Sequence, residues 1–177
     1  MDNNIIIESF ECVRDHAWQT YISTMGESLP VEKVLNSIIE RESKIYDLVY
    51  FFGRPKDTTL VIDELLQKFS VCYQNKTVIR MNARDITTIM CNNIIRNTRM
   101  PVLNDAELNN CDLFVLEYID TVAGFQVTEE LLYGVLDWFL EHHVQIVITG
   151  NMRLVDMEKL APRIRAQIDG GISCLIR

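Results

Sequence analysis

Between Cys111 and Asn151 the chain holds two short apolar runs with a helix-spaced stripe between them. Leu113 to Leu116 is continuously apolar and ends on an acid, Glu117. A run without alternation suits a strand buried on both faces of a parallel sheet. After a connector expected over Thr121 to Val127, the residues Leu131, Leu132, Val135, Leu136, Phe139 and Leu140 recur on one helical face. Glu129 and Glu130 fall in the first turn of that helix, where its dipole favours negative charge. Val144 to Thr149 is the second buried run, and Gly150 and Asn151 follow it. Strand, helix and parallel strand within about 40 residues make a βαβ crossover. Polar residues at the carboxyl ends of such strands lie where open α/β sheets bind ligands, which makes Glu117 and Asn151 candidates.

The same logic extends along the chain. Leu48 to Phe52 reads as a strand, Gly53 to Thr59 as a turn, and Val61, Ile62, Leu65, Leu66 and Phe69 as the apolar face of a helix. Thr77 to Met81 is a further strand, followed by a helix with Ile86, Ile89, Met90, Ile94 and Ile95 that Pro101 stops. Met152 to Ile168 reads as a helical region interrupted by Pro162, and Ile172 to Ile176 as a last short strand after Gly170 and Gly171. Two amphipathic helices precede the first strand. Phe10, Val13, Ala17, Trp18 and Tyr21 mark one; Val31, Val34, Leu35, Ile38 and Ile39, started by Pro30, mark the other. They either pack on the core or present a surface to a partner. The expectation is a three-layer αβα domain with a five-stranded parallel sheet over residues 46–177, preceded by a helical extension over 1–45.

Composition narrows the function classes. Apolar residues make up 48% and charged ones 24%, as in a folded globular domain. A formal charge of −8 argues against a chain that grips a phosphate backbone, because that affinity comes from Lys and Arg neutralising phosphates. Arg80, Arg84, Arg96 and Arg99 resemble a patch, but Asp85 and Asp105 interrupt it and no aromatic lies among them to stack a base. Cys12, Cys72, Cys91, Cys111 and Cys174 are odd in number and far apart, which favours reduced thiols over a disulfide framework or a zinc site. Neither His16 nor the His142-His143 pair has a thiol or acid at ligand spacing, so no metal is expected. Met1 to Ile7 lacks the basic start and long apolar core of a signal peptide, and no apolar run approaches the ~18 residues of a membrane span. A cytoplasmic location is expected.

Strand, glycine-containing turn and helix at Leu48 to Phe69 is the layout of a phosphate-binding loop. Gly53 fits the first position of G-x-x-x-x-G-K-[ST], but Thr58, Thr59 and Leu60 stand where the second glycine, the lysine and the magnesium-binding hydroxyl belong. Thr58 carries a Cβ that opposes close backbone approach, Thr59 brings no charge, and Leu60 cannot coordinate a metal. Lys56 lies three positions early.

The order of elements, with the segments Cys-Asp-Leu-Phe-Val-Leu-Glu-Tyr-Ile-Asp, Gln-Ile-Val-Ile-Thr-Gly-Asn and Leu-Ala-Pro-Arg-Ile-Arg-Ala-Gln-Ile-Asp-Gly-Gly-Ile, resembles the nucleotide-binding subdomain of AAA+ ATPases. The likeness runs from Tyr46 to Arg177 and is strongest toward the bacterial replication initiator DnaA and its regulatory relative Hda. It implies that the first segment is the Walker B strand, the second the first sensor strand and the third the arginine-finger box. The departures then bear on activity. Tyr118 follows Glu117 where a second acid is expected; Asn151 stands at the sensor position; Arg163 and Arg165 remain in the box, but Gln167 falls at the finger itself. The small helical lid that follows in that family is expected to be missing after Arg177. Each such part is worth orders of magnitude in phosphoryl transfer. The resemblance therefore implies a domain without ATPase activity or a bound cofactor, with Gly53, Lys56, Thr58, Thr59, Glu117 and Asn151 as vestigial positions. Its use would be as a protein-binding adaptor, regulator or subunit of a larger complex, with self-association an option. Arg163, Arg165, Trp18 and Trp138 are the candidate contacts. Hda-type proteins reach the sliding clamp through an N-terminal glutamine-leucine-phenylalanine motif, and Met1 to Phe10 contains none. The alternatives are a divergent nucleotide switch using Lys56, Glu117 and Asn151, and a replication-associated DNA-binding factor.

Overall fold

The apolar runs of the sequence become five parallel strands of one sheet: β1 (Leu48–Gly53), β2 (Thr77–Asn82), β3 (Cys111–Glu117), β4 (Gln145–Gly150) and β5 (Ile172–Ile176), in the order β2-β3-β4-β1-β5. The structure is a computed structural model and describes residues 30–40, 47–86, 88, 103 and 105–176. Helices α1 (Pro30–Ile39), α2 (Pro55–Cys72), α3 (Asp105–Asn110), α4 (Gln126–Glu141) and α5 (Pro162–Asp169) complete it, with 3₁₀ turns at Ile119–Val122 and Leu154–Asp156. A helical turn also follows β2 at 83–86.

Both sheet faces are covered, which is why the strands read as unbroken apolar runs. Tyr50, Phe114, Leu116, Ile146 and Ile148 enter the layer shared with Leu132, Leu136 and Phe139 of α4 and Ile164 and Ile168 of α5. Their neighbours Val49, Phe51, Leu113, Val115 and Val147 enter the opposite layer, with α1 and α2. The α1 stripe buries Val31, Leu35, Ile38 and Ile39 there, against Val61, Leu65 and Phe69. The Tyr73 hydroxyl after α2 donates to the Ile39 carbonyl and pins the end of α1. The second amphipathic helix therefore packs on the core.

The structure corrects three local expectations. The connector expected at Thr121 to Val127 is instead a 3₁₀ turn beginning at Ile119, and α4 already starts at Gln126. Pro162 does not interrupt a helix; it opens α5, where its missing N–H and fixed φ are suited to the first position. The preceding stretch forms only the short turn Leu154–Asp156. The short α3 had no counterpart in the pattern reading. The helix at Phe10 to Ser23, with Trp18, and the end of the helix that carries Arg96 and Arg99 lie outside the described residues, as does the boundary between residues 45 and 46. Among the described residues no helix is long and apolar enough to cross a membrane.

Candidate functional site

The sheet order reverses where β1 lies beside β4, and the carboxyl ends of β1, β3 and β4 meet there. One residue, Arg54, separates β1 from α2. Pro55 occupies the first helical position and has no N–H, while the N–H groups of Asp57 and Thr58 both donate to the Arg54 carbonyl, at 2.9 and 3.1 Å. The buried Asp57 carboxylate faces the positive end of the helix and accepts from Arg54 Nε at 2.6 Å. The N–H groups of Asp57 and Thr58 are thus taken by the chain's own carbonyl, and the single residue between strand and helix leaves no loop to wrap an anion. Gly53 has a separate reason to be glycine: a Cβ there would stand 2.2 Å from the Ile176 carbonyl oxygen of β5. Lys56 is exposed at this turn.

At the end of β3 the period of two carries Leu113, Val115 and Glu117 to the face of α2. Glu117 is buried there and receives a forked ion pair from Arg80 of β2, with Nε to Oε2 at 2.6 Å and Nη2 to Oε1 at 3.2 Å. Arg80 Nη1 also reaches Asp63 of α2 at 3.0 Å. Arg80, read from sequence as part of an interrupted basic patch, is in fact the counter-ion of the acid at the end of β3. The signal was present: an arginine inside a run destined for burial requires a partner.

Tyr118 then turns the chain with φ 60° and ψ 51°, a left-handed conformation rare for a bulky residue. Its groups over-determine that geometry. Its N–H donates to Thr149 Oγ1 at 3.0 Å, its carbonyl accepts from the Thr121 N–H and hydroxyl, and its phenol meets Thr59 Oγ1 at 2.7 Å. Thr59 already donates to the Pro55 carbonyl at 2.9 Å, so the phenol is the donor of that bond. The residues at the lysine position and the second acid position therefore bond each other. Asn151 is exposed, and its backbone N–H donates to Asp120 Oδ1 at 3.1 Å. Burial pushes the Tyr50 phenol up, the nearby Asp120 adds to this, and the hydroxyl donates to the Met152 carbonyl at 2.6 Å.

A magnesium nucleotide does not fit these groups. Its phosphates would need the N–H groups that Arg54 takes, and its metal would need the carboxylate that Arg80 neutralises. No group of three His, Cys, Asp or Glu among the described residues is arranged to hold a metal ion.

On the flank, α5 presents three faces. Ile164 and Ile168 are buried. Arg163 and Gln167 turn to α4: Arg163 lies 4.7 Å over the Tyr133 ring with Glu130 at 3.8 Å, and Gln167 Nε2 donates to Asp137 at 3.3 Å. Arg165 lies on the third face, half-buried, its Nε without a hydrogen-bond partner. Trp138 is half-buried, edge-on to Phe139 and stacked 3.8 Å from His142. Glu129, read as a dipole-favoured acid, is buried and accepts the N–H groups of Gly124 at 3.0 Å and Ala161 at 3.1 Å. It thereby ties the left-handed Gly124 turn (φ 89°) to the start of α5. Only the fold brings Ala161 to it, so no sequence spacing announced the bond.

Known structures share this fold. AMPPCP-bound DnaA from Aquifex aeolicus superposes with a TM-score of 0.70 at 17% identity, covering 86% of this chain and 47% of that one. Domain III of Thermotoga maritima DnaA gives 0.71 at 10% identity, covering 89% and 67%. The DnaC helicase loader gives 0.67 at 12%, covering 93% and 100%. The chain thus spans less than half the length of the Aquifex protein. No curated protein matches the sequence significantly. The model of the bacterial DnaA ATPase domain matches residues 14–175, and the chain belongs to that family, with its AAA+ fold.

Proposed function

We propose that this chain is a non-catalytic member of its family that serves a replication-associated assembly as a protein-binding adaptor, regulator or structural subunit. The observation that supports this best is the forked ion pair of Arg80 on Glu117, which places a fixed cation on the only acid of the Walker B strand end. The Thr59 and Tyr118 hydroxyl pair closes the adjoining space. Association with replication rests on the company the fold keeps, which includes a replication initiator and a helicase loader. With its chemistry gone, such a domain acts through its flanks.

The test is thermal unfolding of the chain across a titration of ATP, ADP and GTP with magnesium. A ligand bound only by the native state adds about 2.7 kcal/mol at a hundred times its dissociation constant. The expected result is an unmoved midpoint at millimolar nucleotide. A saturable rise that Lys56→Ala removes would overturn the proposal and make the chain a nucleotide switch.

A further inference from the structure

Among the described residues, the third face of α5 leaves a cation without a counter-ion beside an opening. Pro162, Arg165, Ala166 and Asp169 recur at helical spacing along it. With Leu154 and Val155 of the preceding 3₁₀ turn they line a groove of about 300 Å³. Val155 is 71% exposed at its rim. The groove is held open by bonds described above: Glu129 fixes the start of α5 and Gln167 fixes its far side to α4. Preformed walls lower the ordering cost of binding. Arg165 lines the groove half-buried, and among the described residues its guanidinium forms no ion pair, not even with Asp169 one turn on. A guanidinium without a counter-ion is best satisfied by a carboxylate.

We propose that this groove docks a protein segment that carries a carboxylate next to an aliphatic side chain, the acid on Arg165 and the aliphatic group against Leu154, Val155 and Pro162. Charge complementarity selects this occupant. Among the described residues Arg165 is a cation without a counter-ion on this face, while Arg163 is engaged by Glu130 and Tyr133. Asp169 at the other end repels a second acid and so fixes the direction of the segment. The proposal rests on the adaptor reading and names its contact surface.

Short fluorescent peptides alternating Glu with Leu, and counterparts with Lys in place of Glu, are titrated against the full chain by anisotropy, with amide chemical shifts of Val155 and Ala166 as the local readout. The wild type binds the Glu-Leu peptides. Arg165→Glu weakens them by more than about tenfold and shifts preference to the Lys-Leu series, while Arg163→Ala changes affinity less than about twofold. Val155→Asp, on an exposed side chain, also loses the Glu-Leu peptides and guards against misfolding of the first variant. Absence of binding, or binding indifferent to Arg165→Glu, overturns the groove. So does the same shift pattern with a single-stranded oligonucleotide, or a concentration-dependent dimer that Arg165→Glu dissolves, because the occupant is then nucleic acid or a second copy. Failure here with an unmoved nucleotide midpoint removes only the groove; a nucleotide-stabilised chain removes the adaptor reading whatever the peptides do.

Discussion

The end of the sheet and the flank of α5 treat their polar groups in opposite ways. At the ends of β1 and β3, Asp57 is matched by Arg54, Glu117 by Arg80, and Thr59 by Tyr118. On the outer face of α5, the Arg165 guanidinium has no counter-ion among the described residues and stands beside an open groove. A polar group that already has its partner must lose it before it can bind a ligand, whereas an orphaned one gains by binding. Depth in a crevice is therefore a poorer guide to present use than the state of the hydrogen-bonding groups that line it.

The contrast can be broken most forcefully at Arg80. Arg80→Met leaves Glu117 buried without its counter-ion and is expected to cost about 3 kcal/mol in urea unfolding, and Arg80→Met with Glu117→Leu is expected to recover most of it. Equal costs for the single and the double variant would mean that the pair is not the source of stability. Glu129→Ala comes next. It strands two backbone N–H groups, and about 2 kcal/mol should be lost, with faster amide exchange at Gly124 and Ala161. Protection unchanged at Ala161 would deny that Glu129 holds α5 in place. The smallest effect is expected at Arg165→Ala. Stability should stay within about 0.5 kcal/mol of the starting chain, since among the described residues no side-chain hydrogen bond or ion pair of Arg165 is removed. A loss near that of Arg80→Met would make Arg165 a structural residue and erase the contrast.

How far the sequence foretold this depends on the range of the interaction. The βαβ unit from β3 to β4 was legible because burial on both faces writes itself as a local run, and the helix between as a local period. The positions of Gly53, Thr59, Glu117 and Tyr118 were legible because a motif is local too. Pro162 was ambiguous, since proline either ends a helix or opens one, and spacing alone does not decide. That Arg80 needed a partner was legible, but which partner it has was out of reach, as was the role of Glu129. The first depends on β2 lying beside β3, the second on the chain returning past α4 to Ala161, and neither adjacency has a linear signature. The separation of Arg163 from Arg165 likewise depended on knowing which face of α5 meets α4.

The bond between Thr59 and Tyr118 bears on whether such a chain can go back. A lysine restored at 59 strands the phenol, and an acid restored at 118 stands beside a Glu117 that Arg80 still neutralises. Each single reversion is expected to lower the unfolding midpoint without yielding nucleotide turnover, and either one gaining activity alone would refute this. On the proposed non-catalytic reading, loss of activity works as a ratchet: the contacts that fill the site make every first step toward the motif a step down.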